Sequence, residues 1–408
     1  MQNKKIIIVG AGIVGIAISC KLVLRGYDVT IIDRDEPARG ASFGNAGHIA
    51  TEQIFPLASP QILKKIPAML WDPQGPLVVK PEYYLKFLPW ALRFLWASRP
   101  SAFEQGILAT KSLNGLSMRH WQDLLTALGL SSMLKTKGSL EIFQTEKAFL
   151  KSADLLRNWR EYEIQVETMR DGEVKEKVPD LKGRIAGALY FPHTGHVLSP
   201  YGLAKNMLSR AVERGLRLVR DNITEIKTSG GHWLRGEHGE YRCDGLILAT
   251  GAFSKALLNS TGKNIPMEAE RGYHYQLPKP NIHVEQPISF HERKFILSPL
   301  DGGIRLSGTV EFSGLSSPAT RNRAKNLFSY AKAAFPDLKD EQAGQWTGCR
   351  PTLPDYLPVI DQENRIIHAY GHNHLGLTQA AVTASLVQHL IEETTPPIPL
   401  SPFRSGRF

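Results

Sequence analysis

The chain has 408 residues, of which 42% are hydrophobic, 22% charged and 9% aromatic. It is longer than a single small module, and its composition is that of a globular protein rather than a disordered or fibrous one. The formal net charge is +10, but the basic residues are scattered and show no zinc-finger spacing or RNA-reading aromatic signature. These features argue against nucleic-acid binding and suit a protein that attracts anionic ligands.

The three cysteines are scattered, at Cys20, Cys243 and Cys349, and give neither a disulfide framework nor a zinc-ligand spacing. A reducing compartment is therefore expected. The apolar N-terminal stretch runs into a glycine-rich motif, so we expect no signal peptide, and no run of about 18 apolar residues predicts a spanning helix. These patterns predict a cytoplasmic protein.

The first segment has the pattern of a dinucleotide-binding βαβ unit. Lys4–Val9 is a β-branched run typical of a buried parallel strand, and it leads directly into Gly10, Gly12 and Gly15 of a GxGxxG motif. An apolar helix and a second strand, Tyr27–Asp33, follow. This order predicts a nucleotide site but does not by itself distinguish NAD from FAD.

Each glycine of this motif has a stereochemical role. Gly10 makes the tight turn, Gly12 allows the pyrophosphate to approach the backbone, and Gly15 allows helix and strand to pack closely. The N-terminus of the helix offers free N–H groups to the phosphates. Asp33, at the end of the second strand, is placed to accept hydrogen bonds from a ribose.

The later segments favour FAD over NAD. A NAD dehydrogenase would continue with successive βαβ units, but Arg34–His48 is a polar stretch of small residues without a strand pattern. Further buried strands come much later, at Asp244–Gly251 and Ile366–Gly371, and Gly371–Thr378 then opens a helix. A nucleotide domain assembled from distant segments is typical of glutathione-reductase-like flavoproteins.

Together these segments resemble the D-amino-acid oxidase/glycine oxidase (DAO) family of FAD oxidoreductases, and within it the bacterial D-amino acid dehydrogenases, over essentially the whole chain. The resemblance implies an α/β fold, α+β overall, with a Rossmann-like FAD-binding domain of the glutathione-reductase type and an antiparallel-sheet substrate domain. The expected FAD-binding domain comprises residues 1–52, 193–266 and 347–408, and the expected substrate-binding domain comprises 53–192 and 267–346. Besides the N-terminal unit, the motifs that carry the resemblance are Ser42–Gly47, Leu248–Ser254, Glu270–His274, Gly348–Asp355 with Pro358–Ile360, and Gly371–Thr378.

The resemblance also implies which residues contact FAD. Ser42, Asn45 and Gly47 would lie along the pyrophosphate and the flavin ring. Ile223, in a strand predicted at Leu218–Ile226, would hold the adenine side through its backbone. The N-terminus of the last helix would face the flavin pyrimidine, where helix N–H groups stabilise negative charge. The full predicted set is Gly10, Gly12, Ile13, Val14, Gly15, Asp33, Arg34, Ser42, Asn45, Ala46, Gly47, Ile223, Thr250, Gly251, Gly348, Gly371, His374, Leu375, Gly376, Leu377 and Thr378.

Two elements are predicted for the substrate domain. Phe295–Leu297 and Ile304–Gly308, with a turn at Asp301–Gly303 between them, have the pattern of an antiparallel hairpin. Thr320–Phe335 has the apolar spacing of an amphipathic helix that begins after a proline.

Arg350 is the main candidate for substrate binding. It precedes a proline, which favours an extended backbone, and a guanidinium can hold a carboxylate with two parallel hydrogen bonds. The resemblance implies that the arginine at this position binds the substrate carboxylate; otherwise it would be a surface arginine paired with Asp355. In glycine oxidase a tyrosine near the start of the hairpin also contacts the carboxylate. Phe295 stands at that position here, and either Tyr273 or Tyr275 would supply the hydroxyl.

Three histidines, His48, His291 and His374, are polar groups that could reach the substrate pocket, although a single histidine is more often structural. They lack metal-ligand spacing, and we expect no metal. The residues predicted to act in catalysis are Arg350, Tyr273 and His48.

The resemblance implies oxidative deamination of D-amino acids. A hydride passes from the substrate Cα to flavin N5, and the imine is hydrolysed to a 2-oxo acid and ammonia. Electrons would pass to a quinone or another non-oxygen acceptor. Other possible substrates are D-proline and cis-4-hydroxy-D-proline, and a glycine or sarcosine oxidase would instead release hydrogen peroxide. The alternatives from other classes are a nucleotide-binding module without catalysis and a basic nucleic-acid-binding protein.

Residues Glu82–Pro100 are dense in aromatic and aliphatic side chains, with Lys86, Arg93 and Arg99 among them. Such a segment could lie on the anionic inner face of the cell membrane and deliver electrons to quinone. The alternative is a buried helix kinked at Pro89, or part of a lid over the pocket.

Overall fold

The computed structural model describes residues 4–63, 66, 77–228, 231–320 and 322–408, and two large sheets organise them. The helices with described bounds are α1 (Ile13–Leu24), α2 (Tyr84–Ala97), α3 (Pro100–Leu128), α4 (Glu146–Glu161), α5 (Asp171–Lys177), α6 (Pro200–Val212), α7 (Ser254–Asn259), α8 (Arg323–Ala334) and α9 (Gly376–Glu392). Short 3-10 turns lie at Pro81–Tyr83, Ser131–Met133, Gly251–Phe253, Ser401–Phe403 and Ser405–Arg407.

The first sheet has the topology of a dinucleotide-binding fold. Its strands, in spatial order, are β10 (Arg217–Arg220), β2 (Asp28–Asp33), β1 (Lys5–Val9), β14 (Gly245–Leu248), β21 (Ile366–Tyr370) and β20 (Val359–Glu363). Neighbouring strands are parallel except β20 and β21, which pair antiparallel. Both faces are covered, because Ile6 and Ile8 of β1 pack with α1, α6 and α9, while Ile7 and Val9 pack in a separate core on the other face.

The second sheet is mainly antiparallel. In spatial order it contains β19 (Gly344–Thr352), β15 (Glu268–Leu277), β18 (Gly303–Phe312), β17 (Phe295–Leu300), β16 (Ile288–Phe290), β6 (Ser139–Phe143), β8 (Gly187–Phe191) and β7 (Glu167–Arg170), and β4 (Leu77–Val79) pairs with β18. Leu327 and Ala331 of α8 pack on the core of this sheet with Leu306. Two small sheets complete the fold, one of β11 (Ile223–Lys227), β12 (His232–Gly236) and β13 (Glu240–Cys243), the other of β3 (His48–Ile49), β9 (Gly195–Val197) and β5 (Leu134–Lys135).

The fold class and its main elements are confirmed. The N-terminal βαβ unit is present, and β17 and β18 form the predicted antiparallel hairpin. The predicted helix at Thr320–Phe335 begins at Arg323, while residue 321 lies outside the described residues. β19 crosses residue 347, at which the sequence analysis placed a domain boundary, and the division into two domains stays a prediction.

One predicted strand, Leu218–Ile226, is wrong. The structure has two strands there, β10 and β11, which belong to different sheets. The Asp221 side chain explains the break, because its carboxylate accepts hydrogen bonds from the backbone of Asn222 at 2.8 Å and from the Tyr241 hydroxyl at 2.7 Å. These bonds hold a turn that redirects the chain from the first sheet to the small one.

The predicted segment Glu82–Pro100 forms a 3-10 turn followed by α2, which runs through Pro89 without a break. Its buried side chains are Trp90 and Phe94, and most of its other side chains are exposed. In the part of the chain that the structure describes, no helix is both long and apolar enough to cross a bilayer.

Candidate functional site

A cavity of about 1410 Å³ lies between the carboxyl edge of the first sheet and the second sheet. Such a volume exceeds that of an ordinary small-ligand pocket, so it has room for a large cofactor together with a substrate. Of the predicted site residues, Gly15 and Gly47 lie outside the cavity lining. The lining includes Gly10, Gly12, Ile13, Val14, Asp33, Arg34, Ser42, Asn45, Ala46, His48, Ile223, Thr250, Gly251, Tyr273, Gly348, Arg350, Gly371, His374, Leu375, Gly376, Leu377 and Thr378.

The turn between β1 and α1 depends on two glycines. Gly10 has a φ of +105°, a conformation that side chains rarely tolerate, and a Cβ there would overlap the carbonyl of Ala249. A Cβ at Gly15 would overlap the carbonyl oxygen of Gly10. Gly15 therefore acts in helix–strand packing and need not reach the cavity.

The N-terminus of α1 opens into the cavity and suits a pyrophosphate. At Gly12 an added Cβ would meet only the Ser42 hydroxyl, at 3.5 Å, so its free face is directed to the cavity. Ser42 Oγ accepts a hydrogen bond from the backbone N–H of Ile13 at 2.9 Å. The first turn carries no acidic residue, so the helix dipole leaves positive potential for an anion.

The end of β2 provides a polar site beside this turn. The Asp33 carboxylate accepts hydrogen bonds from the backbone N–H groups of Ala11, at 2.6 Å, and Asp35, at 3.0 Å. These bonds fix the carboxylate at the strand end, where a ribose binds in dinucleotide folds. Next to it the guanidinium of Arg34 lies 3.6 Å from the ring centre of Phe253, a cation–π contact that orders this rim of the cavity.

A residue of the second sheet fixes the loop at Ser42–Gly47. Arg305 donates hydrogen bonds to the carbonyl oxygens of Phe43, at 3.1 Å, and Asn45, at 2.6 Å. Burial lowers the pKa of Arg305 to about 10, so it remains charged at neutral pH. Sequence reasoning missed this residue because it lies about 260 positions away from the loop that it holds.

A second helix N-terminus, that of α9, lines the cavity. The Thr378 hydroxyl accepts a hydrogen bond from the backbone N–H of Ala50 at 3.0 Å, and Trp121 donates to the carbonyl of Leu377 at 2.9 Å. The first turn has no acidic residue and no capping side chain, so its N–H groups are available to an acceptor. A flavin pyrimidine carbonyl is such an acceptor.

On the substrate side, Arg350 stands on β19 opposite Glu270 of β15. Its Nη1 donates to Glu270 at 2.8 Å, and the buried Glu270 also accepts from the hydroxyls of Thr352, at 3.0 Å, and Tyr356, at 3.3 Å. A Cβ at Gly272 would come within 2.6 Å of Arg350 Nη2, so this glycine leaves room for the guanidinium. The motifs at Glu270 and Arg350, far apart in the chain, thus meet as one ion-paired unit.

Arg350 keeps hydrogen-bonding capacity for a ligand. In the described residues its Nε and Nη2 have no hydrogen-bond partner, and its side chain lines the cavity. The alternative partner that the sequence offered, Asp355, instead accepts from Arg407 at 2.6 Å. Arg350 is therefore a partly buried cation with part of its guanidinium directed to the cavity.

Of the two tyrosines predicted to supply a hydroxyl to the substrate, only Tyr273 lines the cavity. Tyr273 lines the cavity, but its hydroxyl donates to Glu311 at 3.0 Å and accepts from the backbone N–H of Thr320 at 3.0 Å. Tyr275 is buried in the core of the second sheet and is not part of the cavity lining. Phe295 lines the cavity and stacks on another phenylalanine, so its wall of the pocket is apolar.

Two further histidines of the cavity wall each have a side-chain partner. His374 Nε2 lies 3.0 Å from Gln53 Oε1, and burial lowers the pKa of His374 to about 4. His291 Nδ1 lies 2.7 Å from Glu141 Oε1, and both of these side chains line the cavity. Both histidines are therefore polar groups of the cavity wall.

His48 has an unexpected neighbour. Its Nε2 lies 3.8 Å from Glu52 Oε1, too far for a hydrogen bond, and both side chains are buried at the cavity wall. Burial lowers the pKa of His48 to about 3 and raises that of Glu52 to about 8, so both groups are mainly neutral at pH 7. No sequence pattern points to Glu52, since an acidic residue in a loop is ordinarily solvated.

One cavity is thus lined by a glycine turn, by two helix N-termini without acidic residues and by a carboxylate at a strand end, an arrangement typical of dinucleotide-binding folds. The chain matches the model of the FAD dependent oxidoreductase (DAO) family over residues 5–390, and it belongs to this family. Its cofactor is FAD, which the α1 turn, Ser42–Gly47 and the start of α9 would hold.

Comparison with individual proteins agrees with this assignment. The chain is 32% identical over 422 residues to D-amino-acid oxidase of Bradyrhizobium diazoefficiens, an alignment that covers 100% of this chain and 99% of that protein. It is 27% identical over 404 residues to D-amino acid dehydrogenase of Vibrio atlanticus, covering 95% of each chain. Glycine oxidase of Geobacillus kaustophilus shares the fold with a TM-score of 0.73 at 24% identity, with 100% of both chains covered.

We predict that Gly12→Ala lowers FAD affinity while the fold stays intact. Gly12 has an ordinary backbone conformation, with φ −75°, so alanine causes no strain, but its Cβ occupies the face reserved for the pyrophosphate. We expect the FAD dissociation constant to rise at least about tenfold. Flavin fluorescence titration of the apoprotein measures it. Gly115→Ala, on the exposed face of α3 with open space around it, is the control, and equal affinities of the two variants would contradict the assignment.

Proposed function

We propose that this protein is an FAD-dependent D-amino acid dehydrogenase, which converts D-amino acids to 2-oxo acids and ammonia. The observation that supports it most is Arg350, which lines the cavity that both helix N-termini also line and whose Nε and Nη2 have no partner among the described residues. Two hydrogen bonds from the guanidinium would fix both the position and the orientation of a substrate carboxylate. The α-carbon of an amino acid would thereby be oriented for reaction. The D-configuration is inferred from relatives whose names specify D-amino acids.

The contributions of the chain are orientation and electrostatics. When bound, FAD accepts the hydride that leaves the substrate α-carbon. Glu270 holds Arg350 in place, and its own charge is stabilised by the hydroxyls of Thr352 and Tyr356. Burial and the charge of Glu270 raise the pKa of Tyr356, so its hydroxyl remains a donor. The N–H groups at the start of α9 stabilise negative charge on the cofactor.

We further propose that electrons leave to a membrane quinone rather than to oxygen. The outer face of α2, defined by Leu85, Leu88, Leu92, Leu95 and Trp96, is exposed, with Leu85 at 86% and Trp96 at 66% of full exposure. Contiguous apolar exposure of this kind is unusual on a protein that only meets water. An apolar helix face on a basic protein suits the surface of an anionic membrane.

The basic residues of this segment and the side chains of α2 that line the cavity also support electron transfer to a membrane quinone. Lys86, Arg93 and Arg99 lie among the apolar side chains, and the Arg99 guanidinium lies 3.3 Å from the ring centre of Trp96. Phe87 and Trp90 stack at 5.1 Å and line the cavity, and Leu88 and Leu95 of the exposed apolar face line it too. The apolar face is therefore continuous with the cavity wall, where an apolar acceptor could enter from a bilayer.

An anaerobic titration tests the proposed function. The purified FAD-loaded protein is mixed with D- and L-amino acids, glycine, sarcosine, D-proline and cis-4-hydroxy-D-proline while the visible flavin band is recorded. We expect bleaching by D-amino acids, fast recovery with a soluble quinone and slow recovery in air. A flavin that no amino acid bleaches would contradict the proposed substrate class, and fast recovery in air with hydrogen peroxide would indicate an oxidase.

Arg350→Lys is predicted to lower kcat/KM roughly a hundredfold, or about 3 kcal/mol, because lysine keeps the pair with Glu270 but cannot bind a carboxylate with two nitrogens. FAD content and thermal stability should be retained. Arg407→Lys, which alters an arginine–carboxylate pair outside the cavity, is the matched control. If the two variants have similar kcat/KM values, the carboxylate is bound elsewhere.

Leu92→Glu is predicted to weaken binding to phosphatidylglycerol-containing vesicles about tenfold or more, since burying one leucine contributes roughly 1.5–3 kcal/mol. Leu150→Glu is the control, because Leu150 is 61% exposed, compared with 57% for Leu92, but lies on α4. Vesicle sedimentation measures binding, with phosphatidylcholine vesicles expected to bind weakly. Equal loss in both variants, or no vesicle binding by the unaltered protein, would contradict the membrane assignment.

A further inference from the structure

Glu52 is a buried carboxyl group to which neither the proposed FAD site nor the Arg350–Glu270 pair assigns a role. It is 7% exposed, and its Oε2 has no hydrogen-bond partner among the described residues. Nε2 of the neighbouring His48 is likewise buried and unpartnered. Both side chains line the cavity, so the Glu52 carboxyl group and the His48 ring border a space that can hold a ligand. A buried polar group without a partner is costly, so its retention points to a ligand.

The backbone around Glu52 is held at the start of α9. The N–H of Ala50 donates to Thr378 at 3.0 Å, and the Gln53 side chain bonds His374, also at 3.0 Å. Trp159 donates to the carbonyl of Glu52 at 3.1 Å. Glu52 is therefore fixed against the helix end that would face the flavin.

Arg350 is tied to the same helix end through a different route. The ring centres of His374 and Tyr356 lie 6.3 Å apart, Tyr356 bonds Glu270 at 3.3 Å, and Glu270 pairs with Arg350. The charges of Glu270 and Arg350 also influence the pKa of His374. Arg350 and Glu52 therefore line one cavity and are both connected to the start of α9.

The electrostatic surroundings of Glu52 favour a cationic ligand. Burial, together with the negative charge of Glu141, raises the pKa of Glu52 to about 8. Glu141 itself is paired with His291 at 2.7 Å. His48 is neutral, because burial and the neighbouring His196 lower its pKa to about 3. An ammonium group would bring the positive charge that this site lacks.

We propose that the Glu52 carboxylate binds the α-ammonium group of the substrate and accepts its proton, while Arg350 holds the substrate carboxylate. The assignment rests on the proposed amino acid substrate. Glu52 is thus a proton acceptor that no sequence motif indicated. His48 lies beside it as an uncharged side chain of the proposed amine site.

The step is balanced in protons and electrons. Binding of the zwitterion displaces the Glu52 proton to solvent, so that a carboxylate faces the ammonium. One N–H bond then breaks and the proton moves to the Glu52 carboxylate. The neutral amine uses its lone pair to form the C=N bond as the α-hydrogen leaves with its electron pair. A base with a pKa near the working pH suits this transfer.

A non-oxidisable ligand pair tests the proposal without turnover. 2-Aminoisobutyrate carries the ammonium and carboxylate but no α-hydrogen, and pivalate replaces the ammonium with a methyl group. Binding to the FAD-loaded protein is followed by the flavin difference spectrum between pH 6 and 9. We expect 2-aminoisobutyrate to bind up to about tenfold more tightly for each unit by which the pH rises from 6 towards about 8, because binding releases one proton from Glu52. Pivalate should show no such gain.

Two variants distinguish this role from a structural one. Glu52→Gln should abolish the pH dependence for 2-aminoisobutyrate and leave pivalate binding unchanged. Glu141→Gln removes the charge that raises the pKa of Glu52, so the pH dependence should persist with its midpoint moved to lower pH.

The stability of the apoprotein gives an independent readout. In wild type the Glu52 proton is kept on folding between pH 4.5 and about pH 8, so the contribution of Glu52 to the free energy of unfolding falls as pH rises through this range. Glu52→Gln should remove that fall and melt at a higher temperature than wild type at pH 8.

If wild type binds 2-aminoisobutyrate without pH dependence, or Glu52→Gln retains the dependence, the role of Glu52 is wrong while the proposed function stands. If wild type neither binds 2-aminoisobutyrate nor is reduced by any amino acid of the panel, both the role of Glu52 and the proposed function are wrong.

Discussion

The parallel pairing of four strands is the constraint on which the site depends. β2, β1, β14 and β21 run in the same direction, so their carboxyl ends meet at one edge. Each strand end delivers a different part of the cofactor site, namely Asp33, the Gly10–Gly15 turn, the Thr250–Gly251 turn and the segment leading to α9. Ligands of open α/β sheets bind at this edge for the same reason. The two uncapped helix ends then supply the positive potential that an anionic cofactor requires.

The second sheet completes the site by holding loops and presenting charges. Arg305 of β18 fixes the loop at Ser42–Gly47, and the adjacent strands β15 and β19 bring Glu270 and Arg350 together. The pairing has a cost, because a buried ion pair loses hydration, and the Thr352 and Tyr356 hydroxyls offset it. The proposed carboxylate site at Arg350 thus depends on the register of two strands rather than on a single motif.

Local signals in the sequence were sufficient for the nucleotide half. The Gly10–Gly15 motif, the strand ending at Asp33 and the turn before α9 are contiguous patterns whose stereochemistry is general. Pairings between distant residues were not predictable. Glu270 and Arg350 are 80 positions apart, and their contact follows from the register of β15 and β19.

The burial of polar side chains could not be predicted from the sequence either. Glu52 lies in a loop of mixed polarity, and its burial follows from the packing of that loop on α9 and α3. The strand predicted at Leu218–Ile226 was wrong because periodicity does not report the hydrogen bonds of Asp221. Side-chain hydrogen bonds that redirect a chain become visible only in three dimensions.

The central claim is that one cavity binds FAD at its two helix ends and the carboxylate of an amino acid at Arg350. A crystal structure of the FAD-loaded protein soaked with 2-aminoisobutyrate tests it most directly. We expect the ligand carboxylate within hydrogen-bond distance of Arg350 Nε or Nη2, with its α-carbon facing the flavin. A ligand bound with its carboxylate away from Arg350, or a flavin bound outside this cavity, would contradict it.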